Sequence, residues 1–130
     1  MDNKILIDAD ILIDFLRGDK NTVELIKGIS AKRLITTDIN AFELYHGAYK
    51  SKNKRENLPE VENLLDSMEL ISTNRESMKK AAGLISDLDR KGSTIDIADL
   101  FIASLCITNS AMLLTHNKKH FERMGIKLIE

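Results

Sequence analysis

The sequence is poor in the residues that define several specialised protein classes. Its 130 residues include one cysteine (Cys106), one proline, six glycines and no tryptophan. A lone cysteine excludes an intrachain disulfide and a cysteine-rich zinc site, and it favours a reducing, cytoplasmic setting. The low glycine and proline content excludes collagen-like and low-complexity chains. No apolar run approaches the ~20 residues of a membrane span, and the run at 5–7 is too short for a signal peptide.

An excess of charge of either sign is also absent. The chain carries 19 lysines and arginines against 20 aspartates and glutamates, which gives a net charge of −1. This balance excludes a basic coat that binds nucleic acid non-specifically, so any RNA must bind a local patch. The candidates for such a patch are Lys50, Lys52, Lys54, Arg55, Lys118 and Lys119. A solvated loop is the alternative interpretation of the run at 50–55.

The apolar residues alternate between strand-like and helix-like spacing along the chain. Strands are predicted at 4–8, 33–36, 70–71 and 112–115, with a last strand or tail at 126–129. Helices are predicted at 10–18, 20–28, 38–48, 59–66, 74–90 and 96–108, with a polar connection at 50–57. This alternation predicts a single α/β domain over 1–130, with a mainly parallel sheet covered by helices on both faces.

Acidic residues directly after strands are the first candidates for chemistry, because ligands bind at the carboxyl ends of parallel strands. Asp8 ends the first predicted strand, and Asp10 follows two residues later. Two acids at this spacing can hold a divalent cation such as Mg²⁺. A helix-capping role for Asp10, with Asp8 as a loop acid, is the alternative.

Two further acids stand in helical segments. The stretch 97–107 is apolar almost all round, so an ionised Asp99 within it needs a partner. A capping box with Asp96 as the N-cap is the alternative explanation for Asp99. Glu43 lies in the middle of another predicted helix and taken alone is a solvated acid. Carboxylates that cluster repel one another unless a cation neutralises them, so Asp8, Glu43 and Asp99 together predict a divalent-metal site.

Other chemical signatures are weak or missing. His46 and His116 do not have the spacing of zinc ligands and are interpreted as surface or hydrogen-bonding residues. Gly-rich phosphate-binding motifs and the nucleophile elbow are absent from the sequence. Tyr45 and Tyr49 lie four residues apart on one helix face, which favours the core or a dimer interface over base stacking.

Four segments in order resemble the PIN domain, in particular the VapC-type ribonuclease toxins of toxin–antitoxin pairs. They are the opening strand with Asp8, the stretch 39–47 with Glu43, the helix with Asp99, and 113–121 with Thr115 and Asn117. The resemblance spans nearly the whole chain. It implies a three-layer α/β/α fold with a central sheet of four to five strands.

The resemblance also implies an activity and a division of roles. The expected activity is an endoribonuclease that uses Mg²⁺ or Mn²⁺ to activate water. Asp8 and Asp99 are then direct metal ligands, Glu43 is a ligand or a base that orients water, and Thr115 and Asn117 steady the network. The implied partners are RNA, a cognate antitoxin and a second copy of the chain in a homodimer.

Two positions depart from the family pattern. Many relatives carry an acid where this chain has His120, so Asn117 or Asp96 is the candidate substitute for a fourth carboxylate. Asp10 stands where an asparagine is common and either adds charge to the site or caps its helix.

Three alternatives stay open at the level of sequence. Acids after strands also occur in haloacid-dehalogenase-like phosphatases and in receiver-like domains, where an aspartate is phosphorylated. The third alternative is a catalytically degenerate PIN domain that only binds a partner.

Overall fold

The computed structural model describes residues 4–92 and 94–129 and contains one four-stranded parallel sheet. The strands are β1 (Lys4–Ile7), β2 (Arg33–Thr37), β3 (Glu69–Ile71) and β4 (Met112–Leu114). The helices are α1 (Ala9–Leu16), α2 (Lys20–Gly28), α3 (Asp38–Lys50), α4 (Lys54–Asp66), α5 (Arg75–Arg90), α6 (Ile97–Thr108) and α7 (Lys118–Glu122). All three strand pairings are parallel, as the alternation of elements predicts.

The side chains of β1 alternate between two hydrophobic clusters because successive residues of a strand point to opposite faces. Leu6 packs in a cluster with residues of α5 and α6, such as Leu88 and Leu100. Ile5 and Ile7 pack on the other face, in a cluster with residues of α1, α3 and α4. The sheet therefore lies between two helical layers, and the predicted three-layer α/β/α fold is confirmed.

The order of the strands in the sheet fixes where a ligand site can form. The order is β3-β2-β1-β4, so the chain proceeds outward from β1 on one side and returns to place β4 on the other. The chain leaves β1 toward β2 and leaves β4 toward the opposite side of the sheet. In parallel sheets a crevice forms between two such neighbouring strands, at their carboxyl ends. Asp8 directly follows β1 and Thr115 directly follows β4, so both lie at this crevice.

The beginning of α4 differs from its prediction. The segment 50–57 is predicted as a connection, but α4 begins at Lys54. The backbone carbonyl of Asn53 accepts hydrogen bonds from the N–H groups of Glu56 and Asn57, which starts the helix before the proline. Pro59 lies inside the helix, so the predicted start of this helix at 59 is wrong.

The C-terminal part of the chain is helical where no helix is predicted. The five-residue α7 follows β4, and its Phe121 is fully buried in the cluster that contains Leu6. The segment 126–129 makes a single parallel bridge, between Leu113 and Leu128, so it is a tail at the edge of β4.

The helices are short for a membrane. Within residues 4–92 and 94–129, none combines the length and apolar character that a membrane span requires.

Candidate active site

Asp8 is the most buried acid of the crevice and is held by hydrogen bonds on both carboxylate oxygens. It is 5% exposed and is the N-cap of α1. Its Oδ1 accepts from the Ala9 N–H at 2.9 Å and from the Asn40 side-chain amide at 2.8 Å. Its Oδ2 accepts from the Thr115 hydroxyl at 2.7 Å. These bonds fix the carboxylate in one orientation at the end of β1.

Asn40 has a role at the site that sequence reasoning did not assign. Its side chain is fully buried in the third position of α3. The Thr37 hydroxyl donates to the Asn40 Oδ1 at 2.7 Å, which leaves the amide N–H₂ directed to Asp8. The sequence does contain an indication of this role. Asn40 is a polar residue one turn before Leu44, on the face of α3 that the apolar residues predict to be buried.

Asp10 lies beside Asp8 and has one oxygen without a partner. Its Oδ2 accepts from the backbone N–H of His116 at 3.1 Å and lies 3.4 Å from the Thr115 hydroxyl. Its Oδ1 is buried and has no hydrogen-bond partner among the described residues. Burial, followed by the charge of Asp8, raises the pKa of the Asp10 carboxyl above its ordinary value. Asp8, and not Asp10, is the N-cap of α1, so the capping interpretation of Asp10 is wrong.

Glu43 lies in α3, half-buried and one turn after Asn40. Burial, then the charges of Asp8, Asp99, Asp96 and Asp10, raises the pKa of Glu43 from its ordinary value of 4.5 to about 7. The interpretation of Glu43 as a solvated helix acid therefore does not describe its surroundings. Four other carboxylates act on it, and they come from two segments that are distant from Glu43 in the sequence.

Asp96 and Asp99 begin α6 and have different partners. Asp96 is the N-cap, and its Oδ1 accepts from the backbone N–H groups of Ala98 at 2.9 Å and Asp99 at 3.3 Å. The Asp99 side chain is 16% exposed, and its Oδ2 lies 3.2 Å from the Nδ1 of His120. Burial raises the pKa of Asp99, the hydrogen bond from His120 lowers it, and the charges of Asp96 and Asp8 raise it, with a net upward shift.

The loop after β4 supports the site through backbone and side-chain bonds. The Asn117 backbone N–H donates to the Thr115 hydroxyl oxygen at 3.0 Å, while the Asn117 residue itself is exposed. The His116 imidazole Nε2 lies 2.7 Å from the Asp14 carboxylate on α1. His116 thus fastens the loop to α1 through Asp14 and Asp10, which fits the prediction of a hydrogen-bonding histidine.

The residues present fit a hard divalent cation by the chemistry of their donors. Asp8, Asp10, Glu43 and Asp99 all offer carboxylate oxygens, which Mg²⁺ and Mn²⁺ prefer. The unpartnered Oδ1 of Asp10 and the raised pKa of Glu43 both mark a deficit of positive charge. In the part of the chain that the structure describes, no three histidine, cysteine, aspartate or glutamate side chains stand together at ligand spacing.

The predicted basic residues lie in two places. Lys118 and Lys119 open α7, directly after the loop that carries Thr115. Lys50 ends α3, and Lys54 and Arg55 begin α4. Lys50 is roughly 10 Å from Glu43 along the axis of α3, because a helix rises 1.5 Å per residue. The first group is therefore adjacent to the crevice and the second is remote from it.

The sequence model of the PIN domain matches residues 5–127. The chain belongs to the PIN domain family. This match confirms the resemblance and sets aside the haloacid-dehalogenase-like and receiver-like alternatives.

Relatives of this PIN domain include named ribonucleases. It is 33% identical over 132 aligned positions to Ribonuclease VapC1 of Methanocaldococcus jannaschii, covering 99% of this chain and 89% of the relative. It is 24% identical to the tRNA(fMet)-specific endonuclease VapC of Salmonella typhimurium, covering 96% of each chain. Among solved structures, VapBC2 from Rickettsia felis bound to a promoter DNA fragment superimposes with a TM-score of 0.89 at 25% identity, covering 97% of each chain.

Proposed function

We propose that this PIN domain is a divalent-metal-dependent endoribonuclease and the toxin of a toxin–antitoxin pair. The observation that carries the proposal is the group of carboxylates at the carboxyl edge of the sheet, where burial and then the charges of the other acids raise the pKa of Glu43 to about 7. Burying several acids together costs free energy in the absence of a cation, so the arrangement favours a site that binds one. The names of its relatives supply the reaction class.

We assign the ligand roles to Asp8, Asp99 and Glu43, with Asp10 as a further oxygen donor. Mg²⁺ and Mn²⁺ are the candidate ions because both accept carboxylate oxygens and water. When bound, such an ion lowers the pKa of a coordinated water and offsets negative charge on a phosphate. Asp96 and Asn117 are both exposed, and Asn117 contributes through its backbone, so we leave both outside the ligand set.

The chain's own residues then have separate tasks. Asn40 and Thr115 hold Asp8 in one orientation, so this carboxylate does not have to be ordered when the ion arrives. Glu43 is assigned as a ligand or as the residue that orients a water, because its half-buried carboxylate lies within the influence of Asp8 and Asp99. His116 holds the loop of Thr115 against α1.

The partners follow from the same relatives. VapBC structures pair a toxin with an antitoxin, and we infer a cognate antitoxin for this chain. RNA is the inferred substrate, and a homodimer is expected. Phe42 and Tyr49 of α3 are 67% and 63% exposed and offer an apolar surface for one of these contacts. The single buried cysteine is consistent with a cytoplasmic location.

The metal assignment is tested by two isosteric substitutions. Asp8→Asn and Asp99→Asn each remove a charge that the ion needs, so cleavage of a pool of total RNA should fall at least about 100-fold, since several kcal/mol of charge stabilisation depend on the ion. EDTA should abolish cleavage by the parent chain, and Mn²⁺ or Mg²⁺ should restore it. Fragments are measured by gel electrophoresis and mapped by end sequencing.

Asp87→Asn is the matched control. Asp87 is exposed on α5 and pairs only with Arg90 among the contacts described for it, so this variant should cleave as the parent does. Undiminished cleavage by Asp8→Asn and Asp99→Asn would refute the site assignment. A parent chain that binds Mn²⁺ but cleaves no RNA in the pool would instead support the degenerate binding module.

A further inference from the structure

The position of His120 against Asp99 suggests a nitrogen ligand in the site. His120 lies in α7, and its Nδ1 is 3.2 Å from the Asp99 Oδ2. Two neighbouring ligands of an octahedral ion with bonds of about 2.1 Å are about 3 Å apart, because they span an edge of the octahedron. The Asp99 oxygen and the His120 nitrogen form a hydrogen bond at this distance, and they are also spaced as one such edge.

The fold holds His120 in this place. The neighbouring Phe121 is fully buried and anchors α7 in the core. The His120 backbone N–H donates to the Asn117 carbonyl at 3.0 Å, which closes the first turn of α7. The imidazole itself is 56% exposed, so solvent and an incoming ion can reach it.

We propose that His120 is a ligand of the divalent ion, beside Asp99, and gives this site a mixed nitrogen and oxygen donor set. The inference rests on the proposed metal site and specifies its ligands and its ion. A neutral imidazole shares its Nδ1 lone pair with Mn²⁺ more readily than with Mg²⁺, which favours oxygen ligands and gives up water reluctantly. The site therefore discriminates in favour of Mn²⁺.

The competing explanation is that His120 is only a counter-ion for Asp99. In that case the imidazolium donates a hydrogen bond to the carboxylate and leaves when the ion arrives. The two explanations differ in whether nitrogen is bonded to the metal, which can be measured without following RNA cleavage.

The experiment is a titration of the metal-free full chain with Mn²⁺, followed by electron spin echo envelope modulation of the bound ion. The chain contains three histidines, so labelling histidine with ¹⁵N identifies an imidazole ligand. Modulation from nitrogen should be present in the parent chain and change with the label. It should vanish in His120→Ala, with the Kd for Mn²⁺ weakened at least about tenfold. In His120→Asp the nitrogen signal should vanish while Mg²⁺ binding strengthens relative to Mn²⁺.

His46→Ala is the matched control, because His46 is exposed on α3 and stacks on Phe42. Its nitrogen signal and its Kd should match those of the parent. Absence of nitrogen modulation in the parent, or its persistence in His120→Ala, would refute the ligand role and leave the carboxylate site standing. Absence of Mn²⁺ binding, or binding that Asp8→Asn and Asp99→Asn do not weaken, would refute the metal site itself.

Discussion

At the scale of single residues, the acids of the site differ in how completely their carboxylate oxygens are hydrogen-bonded. Asp8 is satisfied on both oxygens by neutral donors, while Asp10 retains a buried oxygen without a partner among the described residues. Burial, and then the charges of four other carboxylates, raise the pKa of Glu43. The hydrogen bonds around Asp8 hold its carboxylate in one orientation. The other acids have fewer such bonds, so we expect their side chains to reorient when a cation binds.

The raised pKa of Glu43 predicts a stability that depends on pH. The folded chain keeps a proton on Glu43 up to about pH 7, whereas the unfolded chain releases it near pH 4.5. Because the folded state binds more protons between these values, the free energy of unfolding falls as pH rises through this window. In EDTA, urea unfolding should show Glu43→Gln to be more stable than the parent at pH 8, by about 1 kcal/mol after allowance for solvent screening.

The matched control for this prediction is Glu24→Gln on α2. Glu24 is exposed, so the change should leave the pH dependence of the parent in place. If the free energy of unfolding of Glu43→Gln still falls between pH 5 and pH 8 as much as that of the parent, deprotonation of Glu43 is not the cause of the decline.

At the scale of elements, helix starts are secured by side chains at most junctions of the chain. Asp8, Asp19, Thr37 and Asp96 accept hydrogen bonds from the first turns of α1, α2, α3 and α6. The N-cap of α4, Asn53, makes no side-chain cap bond. Caps also serve the site, because Asp8 and Thr37 belong to its hydrogen-bond network.

The start of α5 gives a stability prediction for a cap remote from the site. The Asn74 side chain accepts from the Ser77 N–H, and the Ser77 side chain accepts from the Asn74 N–H, which forms a capping box. Asn74→Ala should lower the free energy of unfolding by about 1 kcal/mol, as measured by urea unfolding. Arg75→Ala, one position later and exposed, should change it little. Equal effects of the two changes would mean that the box does not stabilise α5.

Most element boundaries could be predicted from the sequence because they have local causes. The helix at 20–28 and the strand at 33–36 follow from apolar spacing and the signals at their ends, and both are confirmed. The start of α4 could not be predicted, because its first turn is held by the backbone carbonyl of Asn53 and not by a side chain. The burial of Phe121, which makes α7 part of the core, depends on contacts with distant strands and helices.

The candidate site could be predicted in part for the same reason. Asp8 and Asp99 are recognisable from their place after a strand or in an apolar helix, whereas Glu43, which taken alone is a solvated acid, is identified through the resemblance to the PIN family. Asn40 and the contact of His120 with Asp99 were not predicted, because each depends on which side chain of another element lies opposite. Whether these acids bind metal stays a prediction.

At the scale of the whole molecule, the balanced charge divides into an acidic crevice and local groups of lysines. Lys118 and Lys119 lie beside the crevice, whereas Lys52 and Lys54 lie near the far end of α3. We therefore expect RNA that reaches the carboxylates to contact the first pair. The two groups are therefore not equivalent, although sequence reasoning treated both as candidates.

This difference predicts unequal effects on RNA binding. In an Asp99→Asn background, the double change Lys118→Ala and Lys119→Ala should weaken RNA binding. The plot of log binding constant against log salt concentration should become shallower, by about 0.7 in slope for each lost phosphate contact. Lys52→Ala with Lys54→Ala is the control of equal charge and should have the smaller effect. Fluorescence anisotropy with single-stranded RNA at several salt concentrations measures both. A larger loss in the second variant would place the RNA path along α4.

The hydrogen bond between Thr115 and Asp8 joins residues that are 107 positions apart, and β1 pairs with β4 over the same span. Contacts of such separation form late, since the chain must close a long loop before they are made. During synthesis, β1 and Asp8 emerge before Thr115, which lies 107 positions later in the chain. An interrupted chain that ends before β4 would have Asp8, Glu43 and Asp99 but lack the strand and hydroxyl that hold Asp8 in place. The topology thus delays completion of the site until β4 and Thr115 have been synthesised.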